Sequence, residues 1–145
     1  MTPPLVDVFF YGLFMDPDVL RKEGYAPRNA RRASIVDQTI RLGDRASLEY
    51  RQGGAAYGMV MAMPTEELDR LYSGPDLSDY RPESVTGVCE DGTIINAITY
   101  KLPFAAIGQK PNQDYALKLG RVARRMGLAD GYVRSLYEIA LLAPG

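Results

Sequence analysis

Chemistry first becomes possible in this chain at Tyr11-Gly12-Leu13-Phe14-Met15-Asp16-Pro17. An apolar run from Val6 to Tyr11 stops at a glycine, and Asp16-Pro17 then starts a helix. Asp is a good N-cap, and Pro suits the first helical position because it has no N–H to leave unpaired. Such a turn aligns free backbone N–H groups beside the positive end of a helix, a place for a carboxylate or a developing oxyanion. Alone, the same pattern also describes an ordinary tight turn. Side-chain chemistry is bounded by what is missing. With no histidine in the chain, Ser-His and Cys-His nucleophile pairs are excluded, as are the common histidine-based zinc and iron sites. Acid-base work falls to carboxylates, Tyr or Lys, and neither a metal nor another cofactor is called for.

The remaining composition sets the class. At 145 residues the chain fits a single domain, 1–145, with 46% hydrophobic and 24% charged residues, ordinary for a globular protein. Cys89, the single cysteine, cannot form an internal disulfide; it reads as a core residue on its strand and agrees with a reducing compartment. The methionines between Met59 and Met63 read as core filler rather than a soft-metal site. A formal charge of −1 gives no global pull toward nucleic acid. The basic cluster Arg21, Lys22, Arg28, Arg31 and Arg32, and the acidic stretch Glu66 to Asp91, read as solvated faces. No stretch approaches the roughly 20 uninterrupted apolar residues of a membrane-spanning helix. The opening Met1-Thr2-Pro3-Pro4-Leu5 lacks a secretory signal, so the expected location is the cytoplasm, with neither membrane nor nucleic acid as partner.

Several elements must position the turn. Strands are expected at 6–11, 33–42, 47–51 and 55–63, the third and fourth separated by a turn at Gln52-Gly53-Gly54. The segment 55–63 is apolar on both faces, as a central strand is. Short helices are expected at Pro17 to Lys22 and, capped by Thr65, at Glu66 to Leu71. Ser73 to Asp79 reads as a loop. Strands at 84–90 and 93–102 meet at Asp91-Gly92, a two-residue hairpin signal. After a link from Pro103 to Pro111, Asn112 caps a helix with Tyr115, Leu119, Val122 and Met126 on one face, ended by Gly127. Asp130 caps a last helix, Gly131 to about Leu141, that turns Leu136, Ile139 and Ala140 inward. This pattern implies an α+β domain with a strongly curved or closed sheet flanked by helices.

Four motifs, in order along the chain, carry a family resemblance. Val8-Phe9-Phe10-Tyr11-Gly12-Leu13-Phe14-Met15-Asp16-Pro17 resembles the opening of γ-glutamylcyclotransferase-like proteins, and its Met-Asp-Pro looks most like the plant avirulence-induced branch. Tyr57-Gly58-Met59-Val60 is similar to the family's central glycine-containing strand. Leu68-Asp69-Arg70-Leu71-Tyr72 resembles its Leu-Asp-x-x-Glu segment, followed by Tyr80-Arg81-Pro82-Glu83-Ser84-Val85. Pro111-Asn112-Gln113-Asp114-Tyr115 with Gly127-Leu128-Ala129-Asp130-Gly131-Tyr132 is similar to the C-terminal signature.

The resemblance implies a small mixed, partly closed β-barrel with helices around it and a pocket at one mouth. In active members, the α-amine of a γ-glutamyl group attacks that group's own γ-carbonyl, releasing 5-oxoproline and a free amine or amino acid. Nucleophile and electrophile share one molecule, so shape supplies much of the acceleration, but a carboxylate must still carry the proton. Tyr11, Gly12, Leu13 and Phe14 carry over as the backbone site, and Tyr115 as a pocket-lining phenol. Leu13 replaces a small hydroxyl residue. At the catalytic glutamate's position stands Tyr72, a poor base with an ordinary pKa near 10.

Three function classes follow. A pocket for a γ-glutamyl-like or small amino-carboxylate ligand, with cyclotransferase activity weak or lost, follows from the kept turn and the missing Glu. An active transferase with a relocated base would draw on Glu83, Asp79 or Asp76, on Glu67 or Asp69, or on a tuned Tyr72. Glu66, Glu67 and Asp69 otherwise serve as exposed helix residues, and Asp76 and Asp79 as turn residues. A non-catalytic protein-interaction module, as a homodimer or otherwise, is the third class.

Overall fold

In the computed structural model, which describes residues 4–43, 45–75, 77–102 and 112–142, the opening apolar run forms strand β1, Leu5–Phe10. Strands β2 (Arg28–Leu42) and β3 (Ala46–Pro64) make one long antiparallel hairpin, and β4 (Arg81–Cys89) and β5 (Ile94–Lys101) make a second. The order is β1-β3-β2-β4-β5, and β1 completes a closed barrel by running parallel to β5, Val8 opposite Ile98. Helices α1 (Pro17–Lys22), α2 (Thr65–Leu71), α3 (Gln113–Arg125) and α4 (Asp130–Leu142) flank it. The architecture is the mixed α+β barrel expected, fully closed because the parallel β1–β5 pairing leaves no open edge between them.

The largest departure from expectation is β3, one strand of 19 residues where two strands and a turn were expected. Val36 pairs with Ala55 and Gln38 with Tyr50, so residues 51–54 stand opposite Asp37 alone. A bulge absorbs them: Gly53 takes a φ of 80°, Asp37 a φ of 59°, and the Gly53 N–H donates to Asp37 Oδ1 at 3.0 Å. Gln52-Gly53-Gly54 bends the hairpin instead of reversing it. The strand β2 also begins earlier than Ala33, because Asn29, Ala30 and Arg32 are outward-facing or exposed and give no apolar signal. Turn chemistry accounts for the smaller shifts. Thr65 is the first residue of α2 rather than its cap, its N–H directed to the Pro4 carbonyl at 3.4 Å, and Asp130 is likewise already helical. The β4–β5 reversal takes Glu90 to Thr93, closed by the Cys89 N–H on the Thr93 carbonyl at 2.8 Å. The link from Pro103 to Pro111 lies outside the described residues.

Both faces of β3 are buried from Gly58 to Met61: Met59, Val60 and Met61 belong to the core with Met63, as does Cys89 on β4. In α4, Leu136 and Ala140 are buried and Ile139 partly so. The end of β1 is held on one side by Thr99, whose buried hydroxyl donates to the Phe9 carbonyl at 2.8 Å. After it comes a single 3₁₀ turn, Leu13–Met15, and then α1. Asp16 joins the two. Its carboxylate, 5% exposed, caps α1 by accepting from the Asp18 N–H at 2.9 Å and receives Arg125 of α3 through Nε at 3.1 Å and Nη2 at 2.6 Å. One side chain therefore fixes the turn against α3. Asp16→Ala should cost about 2 kcal/mol of stability in urea unfolding, with Asp16→Asn intermediate because it keeps the cap and loses the ion pair.

Candidate functional site

Beside that turn lies a cavity of about 390 Å³. Its walls come from distant parts of the chain: Phe9 to Phe14 at the end of β1, Tyr72, Leu77 and Tyr80 between α2 and β4, Tyr100 on β5, and Tyr115 on α3. Glu23 and Arg45 are its charged lining residues among those described. The backbone N–H groups of Gly12 and Phe14 have no acceptor among the described residues, whereas Met15 and Asp16 donate back to Gly12 and Leu13. Tyr115 stands against the turn: a Cβ added to Gly12 would lie 3.0 Å from its hydroxyl oxygen. The glycine leaves room for the phenol.

Five tyrosines dominate the walls. The rings of Tyr72 and Tyr100 lie face to face, centroids 3.7 Å apart and planes 9° from parallel, and Tyr80 is inclined 57° to Tyr72 at 6.1 Å. Tyr80 donates its hydroxyl to the Ala46 carbonyl at 2.7 Å and Tyr11 to the Tyr100 carbonyl at 2.5 Å. Burial pushes the Tyr72 phenol far above the ordinary value, and the neighbouring phenols of Tyr100, Tyr80 and Tyr115 add to the shift. Tyr115 is raised strongly by burial and by Tyr80, with the Leu13 backbone opposing. Burial likewise raises Tyr11, and it moves Tyr80 up to about 12 against the pull of Arg45. Every one of these phenols is protonated at neutral pH, so none is a base there.

The same shifts dictate an alkaline limit. Phenols whose folded pKa lies above the unfolded value near 10 contribute stability that is complete below about pH 10 and is lost as pH rises through their folded values. Tyrosinate absorbance during alkaline titration should therefore show Tyr11, Tyr72, Tyr115 and Tyr132 ionising only together with loss of the circular dichroism of the fold. Ionisation of all ten tyrosines in one early transition with structure retained would contradict it.

Of the residues singled out from sequence, Tyr11, Gly12, Leu13, Phe14, Tyr72 and Tyr115 all line this one cavity. Glu83 does not. It lies on β4 with its side chain 53% exposed, paired with Lys101 Nζ at 2.5 Å in a separate surface groove. It sits at the start of β4, where Arg81 to Ser84 are all exposed. Asp79 is exposed and accepts from Arg45 Nη2 at 3.2 Å, so its link to the cavity runs through Arg45. Glu67 accepts from the Ala26 N–H at 2.7 Å, tying α2 to the segment after α1, and Glu66 and Asp69 are exposed; Asp76 lies outside the described residues. Sequence reasoning missed Glu23, Arg45, Tyr80 and Tyr100 as lining residues. Tyr80 carried a signal in Tyr80-Arg81-Pro82, while Glu23 reads only as a helix end and Arg45 as a turn residue.

No protein-family model matches the sequence, and no curated protein is significantly similar to it. Solved structures do share its fold. One titled gamma-glutamyl cyclotransferase superposes with a TM-score of 0.74 at 19% identity, covering 92% of this chain and 86% of that one. An uncharacterized protein from Homo sapiens gives 0.74 at 19% identity, over 91% and 86%. YkqA from Bacillus subtilis gives 0.77 at 23% identity over 97% of this chain, which spans 55% of YkqA. The fold of this chain is thus the γ-glutamylcyclotransferase-like barrel.

Proposed function

We propose that the cavity binds a γ-glutamyl-like or other small amino-carboxylate ligand, and that the chain releases little or no 5-oxoproline from it. The turn Tyr11 to Phe14 would receive the ligand's carboxylate or carbonyl oxygen on the N–H groups of Gly12 and Phe14, which have no acceptor among the described residues. What carries the reading is Tyr72, a stacked phenol held protonated by burial where the resemblance calls for a carboxylate. Binding then survives while proton transfer fails. Thermal unfolding monitored with γ-glutamylalanine and with γ-glutamyl amines should show ligand-dependent stabilisation, and assays of the same compounds should show 5-oxoproline near background. Turnover at an ordinary enzymatic rate of roughly 1 per second or more would refute it.

One observation favours a second reading, an active cyclotransferase with a displaced base. Glu23 is the carboxylate that lines the cavity among the described residues. Under that reading Glu23→Gln abolishes turnover, whereas Glu83→Ala leaves it unchanged.

A further inference from the structure

The cavity walls differ in kind between the turn and the opposite side. We infer that the side formed by Tyr72, Tyr100, Tyr80 and Leu77 selects an aromatic group, so that the preferred ligands are γ-glutamyl derivatives of an aromatic amine or an aromatic amino acid. This rests on the γ-glutamyl reading above and adds the chemistry of the other half of the molecule.

Ring geometry is the reason. The stacked pair Tyr72–Tyr100 makes a flat slab, with Tyr80 set at 57° beside it as a second plane. Two hydroxyls that would make the cavity polar are already committed to backbone carbonyls, Tyr80 to Ala46 and Tyr11 to Tyr100. These residues present ring faces and edges. A flat aromatic substituent gains offset or edge-to-face contacts there as well as apolar burial. A small polar substituent would give up its water against the ring faces and find on that wall only the hydroxyls of Tyr72 and Tyr100, among the described side chains, to replace it. At the rim, Arg45 lies 5.8 Å over the Tyr80 ring and is steadied by Asp79, which keeps a cation beside the place where an aromatic amino acid's carboxylate would emerge.

Calorimetric titration of the wild-type protein with γ-glutamylphenylalanine, γ-glutamylanilide, γ-glutamylalanine and phenylalanine amide tests the inference. The two aromatic γ-glutamyl compounds should bind about tenfold more tightly than γ-glutamylalanine, and phenylalanine amide more weakly than γ-glutamylphenylalanine. In a Tyr100→Leu variant that keeps the wild-type circular dichroism, the ratio between γ-glutamylphenylalanine and γ-glutamylalanine should fall toward one. Equal affinities of the wild type for these two compounds would overturn the aromatic selection and leave the γ-glutamyl reading standing. Binding of none of the γ-glutamyl compounds, or binding of phenylalanine amide as tight as that of γ-glutamylphenylalanine, would remove the γ-glutamyl reading and this inference with it.

Discussion

Tyr72→Glu is expected to raise 5-oxoproline release from γ-glutamyl substrates about 100-fold above the wild-type chain, the usual contribution of one positioned proton carrier. The wild-type phenol cannot do this work, because burial and three neighbouring phenols hold its proton on. A carboxylate starts from an ordinary pKa near 4.3, and the same burial pushes it upward toward neutrality, where it can take a proton from the amine and return it to the leaving nitrogen. Activity should rise with pH as that carboxylate loses its proton. Tyr72→Gln, similar in size to glutamate but unable to exchange the proton, should stay at the wild-type level. Loss of the ring stacked on Tyr100 should cost about 3 kcal/mol of stability, so turnover must be compared below the variant's unfolding temperature. A folded Tyr72→Glu protein that binds γ-glutamyl compounds and shows no gain would overturn the reading that a carboxylate at position 72 is what turnover requires.

Gly58→Ala is the second large effect, this time on the fold itself. A Cβ at Gly58 would sit inside the van der Waals boundary of the Phe10 carbonyl oxygen and 3.0 Å from Phe9 Cζ. The obstacle is backbone, and it is fixed by the register in which Phe10 faces Met59. Neither strand can yield without disturbing β1 where it leads into Tyr11 and Gly12. The loss should be about 3 kcal/mol in urea unfolding, together with weaker ligand binding through the displaced turn. Gly87→Ala supplies the comparison. Its nearest obstacle, Ile35 Cδ1 at 2.8 Å, is the end of a side chain that can rotate, so about 1 kcal/mol is expected. Equal midpoints for the two variants would mean that the β1–β3 crossing is looser than described.

Much of the fold is legible in the residues, for local reasons. Asp16 and Asn112 cap α1 and α3 because short polar side chains reach the first free N–H groups, and both do so here. The apolar run 55–63 reads as a two-faced strand because burial on both sides leaves no alternation to mislead. The reading fails where local chemistry has two outcomes. Gln52-Gly53-Gly54 carries turn residues, and the same φ freedom that permits a reversal also permits a bulge; the choice depended on Asp37, sixteen residues away.

The site divides along the same line. The sequence alone determined the chemical inventory: no histidine, one cysteine, a strand–glycine–capped-helix turn, and the tyrosine Tyr72 three residues after Asp69, because these follow from residue identity and short spacing. Tertiary structure decided which acids and phenols face the cavity. It left Glu83 exposed at the start of β4, paired with Lys101, and gathered Glu23, Arg45, Tyr80 and Tyr100 around the cavity that Tyr72 lines. Closure of the barrel by parallel β1–β5 pairing set those positions, and a contact between the chain's first strand and its fifth leaves no mark in local sequence.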